Sequence, residues 1–67
     1  MKLREKLAIN LRRLREERGL SQEEIAECAN LHRTYVSMIE RQTRNPTVDV
    51  LEKICVALGV ELGDLFK

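Results

Sequence analysis

The sequence is poor in the residues on which enzymes, metal sites and disulfide frameworks depend. Its two cysteines are too few for a disulfide framework, and their spacing fits no zinc motif. The single histidine, His32, has no second ligand nearby, so neither a metal site nor a cofactor is predicted. There is no glycine-rich phosphate loop, no nucleophile with a neighbouring base and little room for a substrate pocket. These absences argue against an enzyme.

Long hydrophobic runs are also missing. No apolar segment approaches the ~20 residues that span a membrane. The N-terminus has the pattern of a charged amphipathic helix, so we expect no signal peptide and a cytoplasmic protein with reduced cysteines. The 67 residues allow one small domain, residues 1–67.

The net charge of +1 conceals an uneven distribution along the chain. Residues 1–18 carry seven basic and three acidic side chains, whereas residues 19–30 carry three acidic side chains and no basic one. Residues 31–46 are again basic and residues 47–67 acidic. Binding to a polyanion would therefore depend on a local basic surface and not on bulk attraction, although scattered charge also simply solvates a small helical domain.

The periodicity of apolar residues predicts an all-α domain of five helices. Ser21 and Glu24 have the spacing of a capping box at the start of helix 2, and Thr47 is placed to cap helix 4. Glycines end helices 1 and 4. The predicted spans are Leu3–Arg18, a second helix opening at Ser21, Arg33–Arg41, a fourth helix between Thr47 and Gly59, and Glu61–Phe66.

Two helices contribute the apolar stripes of the predicted core. We expect the stripe of helix 1 to contain Leu3, Leu7, Leu11 and Leu14, and that of helix 4 to contain Val48, Leu51, Ile54, Cys55 and Leu58. Cys28 and Cys55 are predicted to be small apolar core residues, with a redox switch as the alternative interpretation.

Residues 22–41 do not keep the period of one amphipathic helix. The apolar or small residues are Ile25, Ala26, Leu31, Val36 and Ile39, and Asn30 lies where the chain must turn. Asn tolerates the left-handed conformation that a tight turn requires. This spacing predicts two short crossing helices, the helix-turn-helix layout, whose second helix enters the DNA major groove.

The chain resembles the phage-repressor-like (Cro-type, XRE-like) helix-turn-helix family over essentially its whole length. The resemblance lies in LRRLREERGLSQEEIA, LHRTYVSMIER and NPTVDVLEKICVALGVELGDLF. The segments HRTYVS and RNP are most similar to controller proteins of restriction-modification systems. Two positions that are often glycine in this family are Asn30 and Gln42. We expect Gln42 to carry a strained backbone or to shift the helix cap.

The resemblance implies a compact lambda-repressor-like fold and a DNA-reading third helix. The predicted base-reading residues are Arg33, Thr34, Ser37 and Met38. The predicted phosphate contacts are Ser21, Gln22, His32, Tyr35, Arg41, Thr43, Arg44 and Asn45. The alternatives are a phosphate or solvent role for Arg33, packing for Met38 and Tyr35, a helix cap for His32 and a solvated loop for residues 42–46.

The resemblance also implies structural and assembly roles. Arg15 and Glu40 are expected to form a partly buried ion pair between helices 1 and 3. A homodimer would read a palindrome through an interface near Val56, Val60, Leu62 and Phe66. Glu23 and Glu27 are candidates for an acidic contact with RNA polymerase, or are ordinary solvated side chains. The alternative function is a protein-binding module, antitoxin-like or an adaptor, built on the same fold.

Overall fold

A computed structural model describes all residues from 1 to 67 and contains four α-helices followed by one short 3₁₀ helix. The α-helices are α1 (Leu3–Glu17), α2 (Gln22–Cys28), α3 (Arg33–Glu40) and α4 (Val48–Leu58), and the 3₁₀ helix covers Leu62–Phe66. The all-α fold is therefore confirmed. The fifth element differs from the α-helix predicted, because a segment of five residues closes too few i→i+4 bonds and takes the tighter 3₁₀ form.

Caps define the ends of the helices. The Ser21 hydroxyl accepts a 3.0 Å hydrogen bond from the Glu24 amide, and the Glu24 carboxylate accepts a 2.9 Å bond from the Ser21 amide. This capping box satisfies amides that the first turn of α2 leaves unpaired. The Thr47 hydroxyl accepts from the amide of Val50 at the start of α4, and Gly59 ends that helix with φ of +70°. These caps confirm the predicted boundaries.

The two turns around α3 both contain a residue with positive φ that is not glycine. Asn30 has φ of +56°, as predicted for the turn between α2 and α3. After it, the amide of Leu31 donates a 2.8 Å bond to the Ala26 carbonyl, which closes the turn. Gln42 has φ of +62°, so the strained backbone expected at this position is confirmed.

One hydrophobic core lies between all five elements. Its largest fully buried side chains are Leu11, Ile25, Val36, Ile39, Ile54 and Leu65. Helix α3 packs against α2 and α1, while α4 packs against α2 and the 3₁₀ helix. None of the helices combines the length and the apolar character needed to cross a lipid bilayer.

Three residues predicted to lie in the core are exposed. Leu3 is 65% exposed and Val48 is 71% exposed, because each is the first residue of its helix and projects beyond the neighbouring helices. Cys28, the last residue of α2, is also exposed, so its prediction as a core residue was wrong. Cys55 is buried as predicted, and burial raises the pKa of its thiol.

Asn10 of α1 and Arg18, the residue that follows α1, bind the far end of the chain, which the sequence did not indicate. The side-chain amide of Asn10, a buried residue, donates 3.1 Å hydrogen bonds to the carbonyls of Leu65 and Lys67. Arg18 donates a 2.8 Å bond to the Leu58 carbonyl at the end of α4. Both side chains satisfy carbonyls that a helix end leaves without a partner. They orient the 3₁₀ helix and α4 against α1.

Candidate nucleic-acid interface

Helix α3 has one buried face and one accessible polar face. Val36 and Ile39 are buried in the core and hold the helix in place. The four residues predicted to read bases lie together on the opposite side, with Arg33 and Thr34 exposed and Ser37 and Met38 half-buried. Because residues three and four apart share a helix face, these side chains form one continuous surface. The surface begins at the N-terminus of α3.

His32 caps the N-terminus of α3, which is one of the roles considered for it. Its Nδ1 accepts a 3.2 Å hydrogen bond from the Thr34 amide and lies 2.8 Å from the Thr34 hydroxyl. With Nδ1 as the acceptor for the Thr34 amide, Nε2 is the ring nitrogen that can donate a hydrogen bond. The exposed His32 ring therefore retains a donor for a phosphate oxygen.

Arg33 is paired with an acidic residue of α2. Its guanidinium lies 3.5 Å from a carboxylate oxygen of Glu23, and both side chains are 70% exposed. Helices α2 and α3 form a shallow concavity here, which Glu27 also lines. The pair is held by surface electrostatics alone, so it is weak enough to exchange for another partner.

Tyr35 and Arg44 connect α3 to the loop that follows it. The Arg44 guanidinium stacks 4.6 Å from the centre of the Tyr35 ring and also donates a 3.1 Å hydrogen bond to the Tyr35 hydroxyl. Tyr35 is half-buried, so part of its ring packs against the domain, which is one of the two roles that the sequence left open. The stacked pair fixes the position of a cation beside α3.

The loop of residues 41–47 is held against the end of α3. The amide of Thr43 donates a 2.9 Å bond to the Met38 carbonyl, and its hydroxyl donates to the same oxygen at 3.3 Å. Arg41 and Asn45 are exposed. The positive φ of Gln42 reverses the chain direction at this point, so that the loop leaves α3 toward α4. The structure thus brings the predicted loop contacts close to the exposed face of α3.

The N-terminus of α2 presents Ser21 and Gln22, and Gln22 lies against Glu40 at the C-terminal end of α3. The Ser21 hydroxyl is engaged in the capping box, and the Gln22 side-chain amide donates a 3.1 Å bond to Glu40. The donors left for an anion at the N-terminus of α2 are the backbone amides of the first turn. The side chain of Gln22 therefore braces α3 in this structure and does not extend into solvent.

Arg15 and Glu40 form the central polar connection between α1 and α3. Arg15 donates 2.8 and 3.1 Å hydrogen bonds to the two carboxylate oxygens of Glu40 and a third, at 2.8 Å, to the Leu20 carbonyl. The side chains are only 11% and 7% exposed. The hydrogen bonds to Glu40 raise the pKa of Arg15 despite its burial. This connection fixes the orientation of α3 relative to α1.

A second surface, on α4 and the 3₁₀ helix, is apolar. Val56 is 78% exposed and Leu62 is also exposed, whereas Val60 and Phe66 are half-buried against the core. Val56, Val60 and Leu62 line an open groove that Glu52 and Glu61 also border. Three of the four residues predicted for a dimer interface therefore line one groove, which Phe66 does not line, and only Val56 and Leu62 are largely free of core packing.

The fold and the accessible polar face of α3 define a helix-turn-helix protein of the DNA-binding transcriptional regulator class. Residues 11–65 match the model of the HTH_3 helix-turn-helix family, to which the chain belongs. The resemblance drawn from the sequence is therefore confirmed.

Several curated relatives are controller proteins. The control protein C.BamHI of Bacillus amyloliquefaciens is 55% identical over 47 residues, which are 70% of this chain and 58% of that protein. The control protein C.SmaI of Serratia marcescens is 42% identical over 65 residues, which are 97% of this chain and 77% of that protein. The chain therefore matches 58% of the length of C.BamHI, and the rest of that protein lies outside the match.

Solved structures share the same fold. The hypothetical transcription factor NHTF from Neisseria superimposes with a TM-score of 0.94 at 44% identity, covering 98% of this chain and 76% of that one. The restriction-modification controller protein C.AhdI from Aeromonas hydrophila gives a TM-score of 0.90 at 40% identity, covering 94% of this chain and 96% of that one. Relatives and structures agree on the class of protein.

Proposed function

We propose that this protein is a sequence-specific regulator that binds a palindromic operator as a homodimer and controls a restriction-modification system. The observation that carries the proposal is the polar face of α3, which begins at Arg33 and is braced from behind by the buried Arg15–Glu40 pair. The controller relatives C.BamHI, C.SmaI and C.AhdI support the assignment to restriction-modification.

The proposed base contacts follow from the chemistry of the four side chains on α3. The planar fork of Arg33 bonds the O6 and N7 of guanine in the major groove. Thr34 contacts a base edge or a thymine methyl, and Ser37 bonds a base or a phosphate. Met38 has no hydrogen-bond donor, so it reads a thymine methyl by apolar contact or packs against sugar.

The proposed phosphate contacts flank this helix on both sides. The backbone amides at the start of α2, beside Ser21 and Gln22, donate hydrogen bonds to a phosphate at the positive end of the helix. His32 Nε2 donates at the start of α3. The loop residues Arg41, Thr43, Arg44 and Asn45 and the Tyr35 hydroxyl contact the backbone at the other end. These contacts set the register of α3 in the groove.

A homodimer is proposed because one helix reads too few base pairs to locate a site in a genome. A twofold pair of α3 helices spaced ~34 Å apart reads two half-sites of a palindrome. The proposed interface consists of the apolar residues on α4, the 3₁₀ helix and the turn between them, namely Val56, Val60, Leu62 and Phe66. Burial of its exposed valine and leucine supplies the free energy of association.

We also propose that α2 contacts RNA polymerase when the dimer is bound beside a promoter. Glu27 is exposed and belongs to no ion pair, whereas Glu23 is engaged by Arg33. Charge reversal at Glu27 is expected to abolish activation while leaving operator affinity within twofold. A variant that keeps full activation in a reconstituted transcription assay would contradict this contact.

The experiment that tests the function is selection of binding sites from a random pool of double-stranded DNA at near-physiological salt. The expected product is a palindromic consensus with half-sites about one helical turn apart. Recovery of no consensus, with only weak salt-sensitive binding, would overturn the operator and favour the protein-binding alternative.

Substitution of Arg33 tests its base contact on the selected duplex. Arg33→Ala is expected to weaken operator binding by ~1–3 kcal/mol and to relax the sequence preference at one base pair of each half-site. Arg12→Ala is the matched control, because Arg12 is an exposed arginine of α1 outside the proposed interface. Equal losses of operator affinity in both variants would show that Arg33 does not read a base. Fluorescence anisotropy on the consensus and on single-position variants measures both effects.

A further inference from the structure

The contact between Glu23 and Arg33 joins the scaffold helix of the motif to the first residue of the proposed reading helix. The two charged groups are 3.5 Å apart across the concavity between α2 and α3. The other basic residues on this side have different partners. Arg41 donates to a backbone carbonyl, and Arg44 donates to the Tyr35 hydroxyl. Arg33 is thus the one cation of α3 and its loop that is neutralised by a carboxylate.

The position of Arg33 gives this carboxylate a physical role. Arg33 is the first residue of α3, and the first turn of α3 has no acidic residue. A cation at this end meets the positive end of the helix dipole, which is unfavourable. Glu23 supplies the missing negative charge from the neighbouring helix. Without it, Arg33 would lie as an uncompensated cation at the edge of the interface, available to any phosphate.

We propose that Glu23 is a specificity-determining residue that acts by positioning and neutralising Arg33. This inference rests on the proposed operator function. On non-cognate DNA, Arg33 stays with Glu23 and adds little to the attraction of the phosphate backbone. At the operator, the two hydrogen bonds of a guanine edge replace the single exposed ion pair. Glu23 therefore lowers non-specific affinity more than operator affinity.

The expected effects follow from surface electrostatics. An exposed pair contributes about 0.2–1 kcal/mol, which corresponds to a change of about 1.4- to fivefold in an equilibrium constant. An Arg33 released from Glu23 neutralises one more phosphate, which steepens the dependence of log K on log salt by about 0.9 on duplex DNA.

The test compares Glu23→Gln with Glu27→Gln on the full chain. Both variants remove one exposed carboxylate from α2 beside the same concavity, but only Glu23 contacts Arg33. Binding is measured on the selected operator duplex and on a scrambled duplex of equal length, each over a salt series. We expect E23Q to tighten binding to the scrambled duplex about 1.4- to fivefold beyond the effect of E27Q. E23Q should also show the steeper dependence of log K on log salt. The ratio of operator affinity to scrambled-duplex affinity should fall.

The same pair of variants in an Arg33→Ala background provides the control for the mechanism. There, E23Q and E27Q are expected to give equal affinities and equal slopes, because Arg33 is absent. Equal effects of E23Q and E27Q in the native background would overturn the inference while leaving the operator function intact. A native protein that binds both duplexes equally would overturn the proposed function and the inference with it.

Discussion

At the scale of single residues, Arg15 is a charged side chain that is largely withdrawn from solvent. Its guanidinium bonds both oxygens of Glu40 and the carbonyl of Leu20, with little access to solvent. Gln22 donates to the same carboxylate, so Glu40 has three side-chain donors. A carboxylate withdrawn from water needs such partners, because its desolvation is costly.

Removing Arg15 is therefore expected to destabilise the fold strongly. Arg15→Ala leaves Glu40 buried with Gln22 as its remaining side-chain partner, and the free energy of unfolding should fall by ~3–5 kcal/mol. Arg12→Ala, which breaks the exposed pair with Glu16, should cost less than ~1 kcal/mol. Urea denaturation measures both changes. A double-mutant cycle with Glu40→Leu that shows no coupling would refute the role of the pair.

Gln42 carries a backbone conformation that glycine adopts at lower cost. Its φ of +62° places the Cβ close to the carbonyl, which costs roughly 1–2 kcal/mol for residues other than glycine. We expect Gln42→Gly to stabilise the protein by about 0.5–1 kcal/mol after the entropic cost of glycine is subtracted.

The controls for Gln42→Gly separate the backbone from the side chain. Gln42→Ala removes the same side chain but keeps the Cβ, so it should bring no gain. Asn30→Gly, at a φ of +56°, should change stability by less than Gln42→Gly, because Asn tolerates this conformation. Thermal unfolding of the three variants distinguishes them, and an equal gain from Q42A would rule out backbone strain as the cause.

At the scale of elements, α2 depends on its cap more than the longer helices do. It has only seven residues, too few to be stable alone, and its capping box satisfies amides of the first turn. Hydrogen bonds from the Ser21 amide and hydroxyl lower the pKa of Glu24. The stability that the cap gives to α2 therefore depends on pH.

The direction of this coupling follows from the lowered pKa. The contribution of Glu24 is present above the ordinary glutamate pKa of about 4.3 and is lost as the pH falls through the lower value of the folded state. Glu24→Gln keeps an acceptor for the Ser21 amide but does not titrate. We therefore expect its free energy of unfolding to fall less steeply than that of the native protein below about pH 4.3.

Urea unfolding between pH 2.5 and pH 7 measures this difference. Glu27→Gln is the control, because Glu27 is an exposed carboxylate of α2 outside the capping box. Parallel pH profiles for E24Q and the native protein would show that the cap does not contribute to acid sensitivity.

The element boundaries were largely predictable, because they rest on local chemistry. The start of α2 is set by Ser21, and the start and end of α4 are set by Thr47 and Gly59. Each acts through contacts with residues only a few positions away. The exposure of Leu3 and Val48 was not predictable from helical period. Period places a residue on a face, but the length over which that face meets another helix depends on the packing of the whole domain.

At the scale of the whole molecule, the apolar surface on α4 and the 3₁₀ helix determines the expected assembly. Val56→Glu and Leu62→Glu place a charge in the proposed interface, where it would be buried without a partner. We expect both variants to sediment as monomers and to lose most of their operator affinity. Ile9→Glu, at an exposed residue of α1, should remain dimeric.

Val56 and Leu62 are more informative than Phe66 for this test. Phe66 is half-buried against the core, so a glutamate there would also disturb folding. Circular dichroism checks that the Val56 and Leu62 variants keep the native helix content. If both variants remain dimers in equilibrium sedimentation, the interface lies elsewhere on the molecule.

The helices, the turn at Asn30 and the polar character of α3 were predictable from the sequence, because these features depend on periodicity, caps and residue type over short distances. The sequence did not determine the hydrogen bonds from Asn10 to the 3₁₀ helix, nor the pairing of Glu23 with Arg33. Those contacts join residues whose distance is fixed only when the helices pack around the common core. They depend on tertiary structure because a polar side chain has many possible partners until the packing of the helices brings one of them within bonding distance.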